Sequence, residues 1–305
     1  ASENDTLKGS SNYASWIDVL NSATGNNTAG NDVKLTLNST IQEAAQQALE
    51  GYNGACVVID PETGAILAMA SSPTYDAGDV ESILSGGGDS SALYNRATQA
   101  LYSPGSTFKI VSLTTALENN VATEQSVYSA PSTLEIGGGE VTNFNGASYG
   151  DITLERATEL SANTVFAQLG TEIGSEGLVN SSEEFGFNQE ISFDLPLVTS
   201  LMPDPNEMTE WETAWASAGE PVGEHESPAG PQATVLQMAL VGCAIANDGV
   251  IMQPYLVDSV YNAEGTNSYR ATPSQLYTAC SSSIAERVKT VLEGVVNNGT
   301  GTAAA

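Results

Sequence analysis

Ser106 and Lys109 stand three residues apart in the stretch Tyr102-Ser103-Pro104-Gly105-Ser106-Thr107-Phe108-Lys109-Ile110-Val111. Pro-Gly sets a turn, and the residues after it suit a helix running to about Asn119 with Ser106 at its start. Three positions on, Lys109 returns to the same face, about 5 Å along the axis. A serine hydroxyl is a poor nucleophile until a neighbour takes its proton. A lysine buried beside it loses hydration, its pKa falls, and the neutral amine can act as that base. The helix N-terminus adds free N–H groups and a positive dipole, which favour negative charge developing on a substrate oxygen. Ser-x-x-Lys is also what a helix cap followed by a surface lysine looks like. Here the only lysines are Lys8, Lys34, Lys109 and Lys289, and Lys109 lies among Phe108, Ile110 and Val111. That setting asks for a chemical reason.

A second polar pair lies downstream. Residues 151–160 read as an amphipathic helix leading into Ser161-Ala162-Asn163, with apolar Val165, Phe166 and Leu169 beyond. Ser161 and Asn163 can project a hydroxyl and an amide from a turn between helices; the alternative is that they cap the second helix. The same Ser-x-Asn pattern occurs at Ser10-Ser11-Asn12. The one histidine, His225, sits in a polar, turn-prone stretch and reads as an exposed loop residue, so a Ser-His-Asp triad has little local support. Cys56, Cys243 and Cys280 show no C-x-x-C spacing, and His and Cys are too few for most metal sites, so none is expected. Cys56 and Cys243 lie in apolar runs and read as buried free thiols.

The elements that must hold these residues can be read from pattern. The chain has 305 residues, 41% of them hydrophobic, with 8 Lys+Arg against 37 Asp+Glu for a formal net charge of −29. That length suits one large or two ordinary domains. Such a charge repels phosphate backbones and anionic lipid, which argues against nucleic-acid binding and a polybasic membrane anchor. No apolar run approaches the roughly 18 residues of a membrane span, and the first residues lack a signal-peptide pattern. Residues 1–32, rich in Ser, Asn, Thr and Gly, read as a linker or the stub of an earlier domain. Residues 33–37 alternate as a strand, Ser39 and Gln42 have capping-box spacing, and a helical period follows to Gly51. Two apolar runs, 55–60 and 65–70, flank a Pro/Gly turn as a β-hairpin covered on both faces. Gly86-Gly87-Gly88 marks a loop, and residues 233–247 and 284–296 read as helices. There is no internal repeat and no G-x-G-x-x-G.

Taken together and in order, these features resemble the transpeptidase domain of penicillin-binding proteins, most closely the monofunctional (class B) kind. The resemblance rests on residues 54–71 with their Ile-Asp-Pro-x-Thr-Gly-Ala-Ile-Leu-Ala-Met core, Asn95-Arg96-Ala97, residues 102–109, residues 160–166, and Leu236-Gln237-Met238-Ala239 leading to Ala246-Asn247-Asp248-Gly249-Val250. It implies an α+β fold, an antiparallel sheet flanked by helices, with residues 33–305 as the domain and 1–32 as a pedestal stub. It also implies that Ser106 is the acylated nucleophile, Lys109 its proton acceptor, Ser161 a relay to the leaving amine, and Asn163 a substrate-positioning residue. The implied partners are a peptidoglycan stem ending in D-Ala-D-Ala and β-lactams that mimic it. The implied location is the outer face of a bacterial cell membrane, with a tether N-terminal to this chain.

The family's third motif, Lys-Thr/Ser-Gly on a cleft strand, does not occur in these residues. Gly299-Thr300-Gly301 has glycine where that lysine would stand and looks more like the turn preceding the motif. The expectation is therefore that the chain stops short of that strand and of the later sheet strands, and that as given it is inactive or weakly active. Two other readings remain: a hydrolase (D,D-carboxypeptidase or serine β-lactamase), for which no obvious deacylating carboxylate stands out among the many Asp and Glu, and a non-catalytic wall-binding or β-lactam-sensing module.

Overall fold

The computed structural model describes residues 30–223 and 226–304. Most of the 1–32 segment and His225 lie outside the described residues. Strand β1 (Asp32–Leu35) and helix α1 (Ser39–Ala48) lead into the hairpin β2 (Gly54–Ile59) and β3 (Ile66–Ser72). Short helices α2 (Val80–Leu84) and α3 (Arg96–Gln99) precede α4 (Lys109–Glu118). Four short strands follow: β4 (Val127–Ala130), β5 (Thr133–Ile136), β6 (Gly139–Thr142) and β7 (Gly150–Thr153). Then come helices α5 (Leu154–Glu159), α6 (Asn163–Ile173), α7 (Ser175–Glu184), α8 (Glu210–Ala218) and α9 (Val235–Ala246). After these run β8 (Val250–Met252), β9 (Val257–Tyr261), β10 (Asn267–Arg270), β11 (Gln275–Thr278) and α10 (Ser282–Asn298).

The expected α+β architecture is present, with antiparallel pairing throughout the named strands, but the strands do not form one sheet. Among the described residues they divide into β1-β9-β10 and the pairs β2-β3, β4-β7, β5-β6 and β8-β11. The hairpin forms as expected, pairing Gly54 with Ser72 through to Ile59 with Ile66. Alternation along it explains why both faces are apolar. Ala68, Ala70, Cys56 and Val58 pack on Ala45, Ile41 and Leu49 of α1, whereas Val57, Ile59 and Met69 face the main core. No strand among the described residues pairs with the outer edge of β2.

Two local expectations need correction. Asn38, not Ser39, caps α1, its Oδ1 accepting from Thr40 N at 3.0 Å and Ile41 N at 3.2 Å. Gln42 is therefore free of a capping box, and its amide instead mimics a strand along β3, donating to Met69 O at 2.9 Å and accepting from Met69 N at 2.8 Å. The helix expected over 151–160 also begins later. Residues 150–153 form β7 against β4, because Asp151-Ile152-Thr153 alternates, and Thr153 caps α5 by accepting from Arg156 N. Cys56 is half-buried rather than buried, since its strand is only partly covered, while Cys243 and Cys280 are buried and all three are free thiols.

Buried hydroxyls tie together the helices that carry the candidate site. Ser112 on α4 donates to Ser217 O on α8 at 2.7 Å, and the Ser217 hydroxyl donates back to Phe166 O on α6 at 2.6 Å. The α6–α8 crossing is close enough that a Cβ on Gly170 would fall 2.3 Å from Ser217 Oγ. Around these contacts Phe108, Phe166, Leu113 and Leu169 are fully buried, and Phe108 meets Phe187 edge-on at 5.5 Å. Buried polar groups that are fully partnered fix a register that apolar packing alone would leave adjustable.

Candidate active site

Gly105–Phe108 is a single 3₁₀ turn that runs straight into α4, so the expected helix start is real but tighter than an α-turn. The turn leaves Ser106 exposed at the floor of an open cleft of about 800 Å³, while Lys109 is buried beneath it at 4% exposure. Gly105 takes φ +55° and donates to Gly219 O at 3.0 Å, which pins the turn to the end of α8. The approach is tight: a Cβ on Gly219, where φ is +96°, would lie 1.8 Å from Gly105 O. Gly219→Ala should therefore displace the nucleophile turn. We expect a loss of about 1–3 kcal/mol in a urea melt together with slower covalent labelling of Ser106.

The second polar pair converges on the first. Leu160 ends α5 and Ser161 follows at φ +55°, in the left-handed conformation. Ser161 N bonds Thr158 O and Ala162 N bonds Ala157 O, the paired closure of a Schellman motif. Glycine is the usual residue there; a serine accepts the strain and contributes a hydroxyl. That hydroxyl lies 2.9 Å from Ser106 Oγ and 3.0 Å from Lys109 Nζ. The capping alternative for Ser161 and Asn163 is not what forms. Ala162 occupies the cap of α6 without a side-chain bond, and Asn163 opens the helix with its amide turned inward. Asn163 Nδ2 donates to Thr142 O at 2.9 Å, which fixes Oδ1 towards Lys109 at 2.6 Å. The end of β6 bearing Thr142 is held in turn by buried Asn143, bonded to Pro131 O, Ala147 O and Thr164.

Four acceptors surround Lys109 Nζ: Ser106 Oγ at 3.1 Å, Ser161 O at 2.9 Å, Ser161 Oγ at 3.0 Å and Asn163 Oδ1 at 2.6 Å. The carbonyl and the amide oxygen can only accept, so they take two N–H bonds. A neutral amine then has its lone pair left for a hydroxyl proton. Burial favours that form, lowering the Lys109 pKa from 10.5 to about 7, with the Glu220 charge opposing the shift. The Phe166 ring, 5.3 Å away, offers the cationic form only modest compensation. All four residues singled out from sequence thus meet in one hydrogen-bonded cluster that can move a proton from Ser106.

Sequence reasoning missed the cleft's other walls. Phe144, Tyr149 and Trp215 supply aromatic surface, Thr300 one rim, and Glu220 a carboxylate. None belongs to a spaced polar pattern, and the one available signal for Glu220 was its place after Gly219 at a helix end. The turn after α10 docks on the end of α5. Thr300 N donates to Glu159 O at 3.0 Å, and a Cβ on Gly299 would lie 2.2 Å from that same oxygen.

With this geometry in hand, comparison with known proteins decides the family. The penicillin-binding protein transpeptidase domain matches residues 54–305. The chain belongs to the penicillin-binding protein transpeptidase family. Among curated relatives of this transpeptidase domain, the peptidoglycan D,D-transpeptidase PbpA of Mycolicibacterium smegmatis is 32% identical over 281 residues, covering 86% of this chain and 55% of that protein. MrdA of Escherichia coli K12, also a peptidoglycan D,D-transpeptidase, is 29% identical over 76% of this chain and 38% of its own length. The chain thus spans about half or less of these relatives. Among solved structures, the D,D-transpeptidase domain of a peptidoglycan glycosyltransferase from Eggerthella lenta superposes with a TM-score of 0.89 at 58% identity, covering 96% of this chain and 74% of that one. The imipenem acyl-enzyme of penicillin-binding protein A from Mycobacterium tuberculosis superposes with a TM-score of 0.83 at 28% identity, covering 96% and 70%. No helix among the described residues is long and apolar enough to cross a membrane.

Proposed function

We propose that this transpeptidase domain cross-links peptidoglycan through an acyl-serine intermediate and is acylated by β-lactams. Ser106 Oγ attacks the penultimate carbonyl of a stem ending in D-Ala-D-Ala, and its proton passes to neutral Lys109. Ser161 relays a proton to the departing nitrogen as the C–N bond breaks and D-alanine leaves. The amine of a neighbouring stem then attacks the ester; the C–O bond breaks and Ser106 regains its proton. Asn163 holds the Lys109 amine with its oxygen, and its remaining N–H can meet the substrate backbone. In this reading residues 33–305 form the catalytic domain, residues 1–32 a linker or pedestal stub, and the substrate places the parent protein outside the cytoplasmic membrane.

The observation that carries the proposal is the position of Lys109 Nζ, buried and within 3.1 Å of both serine hydroxyls. Relatives named as peptidoglycan D,D-transpeptidases and a neighbour caught as an imipenem acyl-enzyme support the same chemistry. The test is prolonged incubation with excess penicillin G, followed by intact-mass measurement and peptide mapping. A single adduct on the peptide containing Ser106 is expected; an adduct elsewhere, or none at saturation, sinks the reading.

A further inference from the structure

Glu220 is the one formally charged side chain among the described residues lining the cleft, and the acyl-serine mechanism gives it no task. Its position is built rather than incidental. It follows Gly219, the left-handed residue whose backbone is wedged against Gly105, and its own N–H is held by Trp215 O at 3.0 Å. Ser103 donates to Glu220 Oε2 at 3.1 Å, while no described residue donates a hydrogen bond to Oε1. A Cβ on Gly105 would lie 3.8 Å from Oε1, so the carboxylate stands directly beside the nucleophile turn. An anchored carboxylate with a free oxygen, among otherwise neutral described lining residues, selects a cation that donates hydrogen bonds.

The two substrates differ in that respect. The acyl donor ends in a carboxylate, which Glu220 repels. The acyl acceptor brings a primary amine, cationic in water near neutral pH, which both Glu220 and the −29 field of the whole chain attract. We infer that Glu220 is the recognition site for the ammonium of the acceptor strand, a specificity determinant on the acceptor side of Ser106. This rests on the acyl-transfer reading above and adds to it the residue of this chain that meets the acceptor's ammonium. Before attack the ammonium gives one proton to solvent. As the new C–N bond forms and the serine ester C–O bond breaks, its second proton goes to Ser106 Oγ.

The test uses the 305-residue chain and a defined probe, Nα-acetyl-lysine methylamide, against its Nε-acetylated neutral counterpart. Both are titrated into ¹⁵N-labelled protein while the Trp215 indole and Glu220 amide signals are followed. A saturable shift with the cationic probe only, weakened about three- to tenfold in Glu220→Gln, is the expected result. Glutamine keeps an oxygen for Ser103 while removing the charge and turning the other oxygen into an amide donor. Absence of a saturable shift, equal response to the neutral probe, or equal affinity in the variant overturns the inference. A second measurement follows loss of the penicilloyl adduct with and without the cationic probe. Amine-dependent loss reduced in Glu220→Gln supports the assignment; loss of hydrolysis alone overturns it, making the carboxylate a base for water. Failure of penicillin G to label Ser106 would instead remove the acyl-transfer reading, leaving the probe titration to judge the ammonium site by itself.

Discussion

Lys109→Arg should slow acylation of Ser106 by about 10²–10⁴-fold, the range that general-base catalysis contributes. Arginine keeps the positive charge and can still donate to Ser161 O and Asn163 Oδ1. It cannot give up its proton in a protein, so it offers no lone pair to the serine. The loss would therefore isolate proton abstraction from electrostatics and packing. Wild-type acylation should rise with pH and level off, with a midpoint near the Lys109 pKa of about 7. The direction follows from which form reacts: the neutral amine is the base, and it accumulates above that pKa. Stability moves the same way. The folded-state pKa lies below the free value of 10.5, so between about 7 and 10.5 the unfolded chain binds the extra proton. Burial of this amine thus costs most below pH 7, and the cost disappears as pH rises past 10.5. Stopped-flow or quenched mass measurements of adduct formation across pH 6–9, on both proteins, check the claim. A pH-independent wild-type rate, or an arginine variant as fast as wild type, would exclude a lysine base.

What could be read from sequence divides along a physical line. The Ser106/Lys109 pair was legible because helical period is local: three residues fix a face whatever the rest of the chain does. Burial of that lysine was legible from its apolar neighbours. The hairpin was legible because two apolar runs flank a turn. In contrast, the side chains that Ser161 and Asn163 would meet depend on a left-handed residue between α5 and α6, and nothing in Leu-Ser-Ala-Asn requires serine to take φ +55°. The Schellman closure at the end of α5 sets that conformation, and it brings the hydroxyl to Lys109. Asn38 and Ser39 are adjacent and equally suited to cap α1; Asn38 takes the role, and Gln42 bonds Met69 on β3 rather than closing a capping box. Glu220 was invisible for the same reason: its meaning comes from Gly105 and Ser103, more than 100 positions away in sequence.

Anionic β-lactams should acylate the 305-residue chain slowly, about 10²–10³-fold below the rate of a homologue that carries Lys-Thr-Gly in its cleft, the scale of one lost transition-state donor. A penicillin brings a carboxylate, and among the described residues the cleft lining offers no cation while presenting Glu220; Lys109 is buried and half neutral near pH 7. Over the whole chain there are 37 acidic residues against 8 basic ones, so long-range steering also opposes the ligand. Two consequences separate this electrostatic account from a merely misfolded site. Raising ionic strength from about 0.05 to 0.5 M shrinks the screening length to a few ångströms, and should speed acylation by the anion. Esterifying the ligand's carboxylate removes the repulsion, so the neutral ester should gain on the free acid in this chain and lose to it in the homologue. If salt has no effect and acid and ester react alike, charge is not what limits the reaction. If the free acid acylates Ser106 as fast as it does the homologue, the missing cation is not needed, and Ser106, Lys109 and Ser161 suffice by themselves.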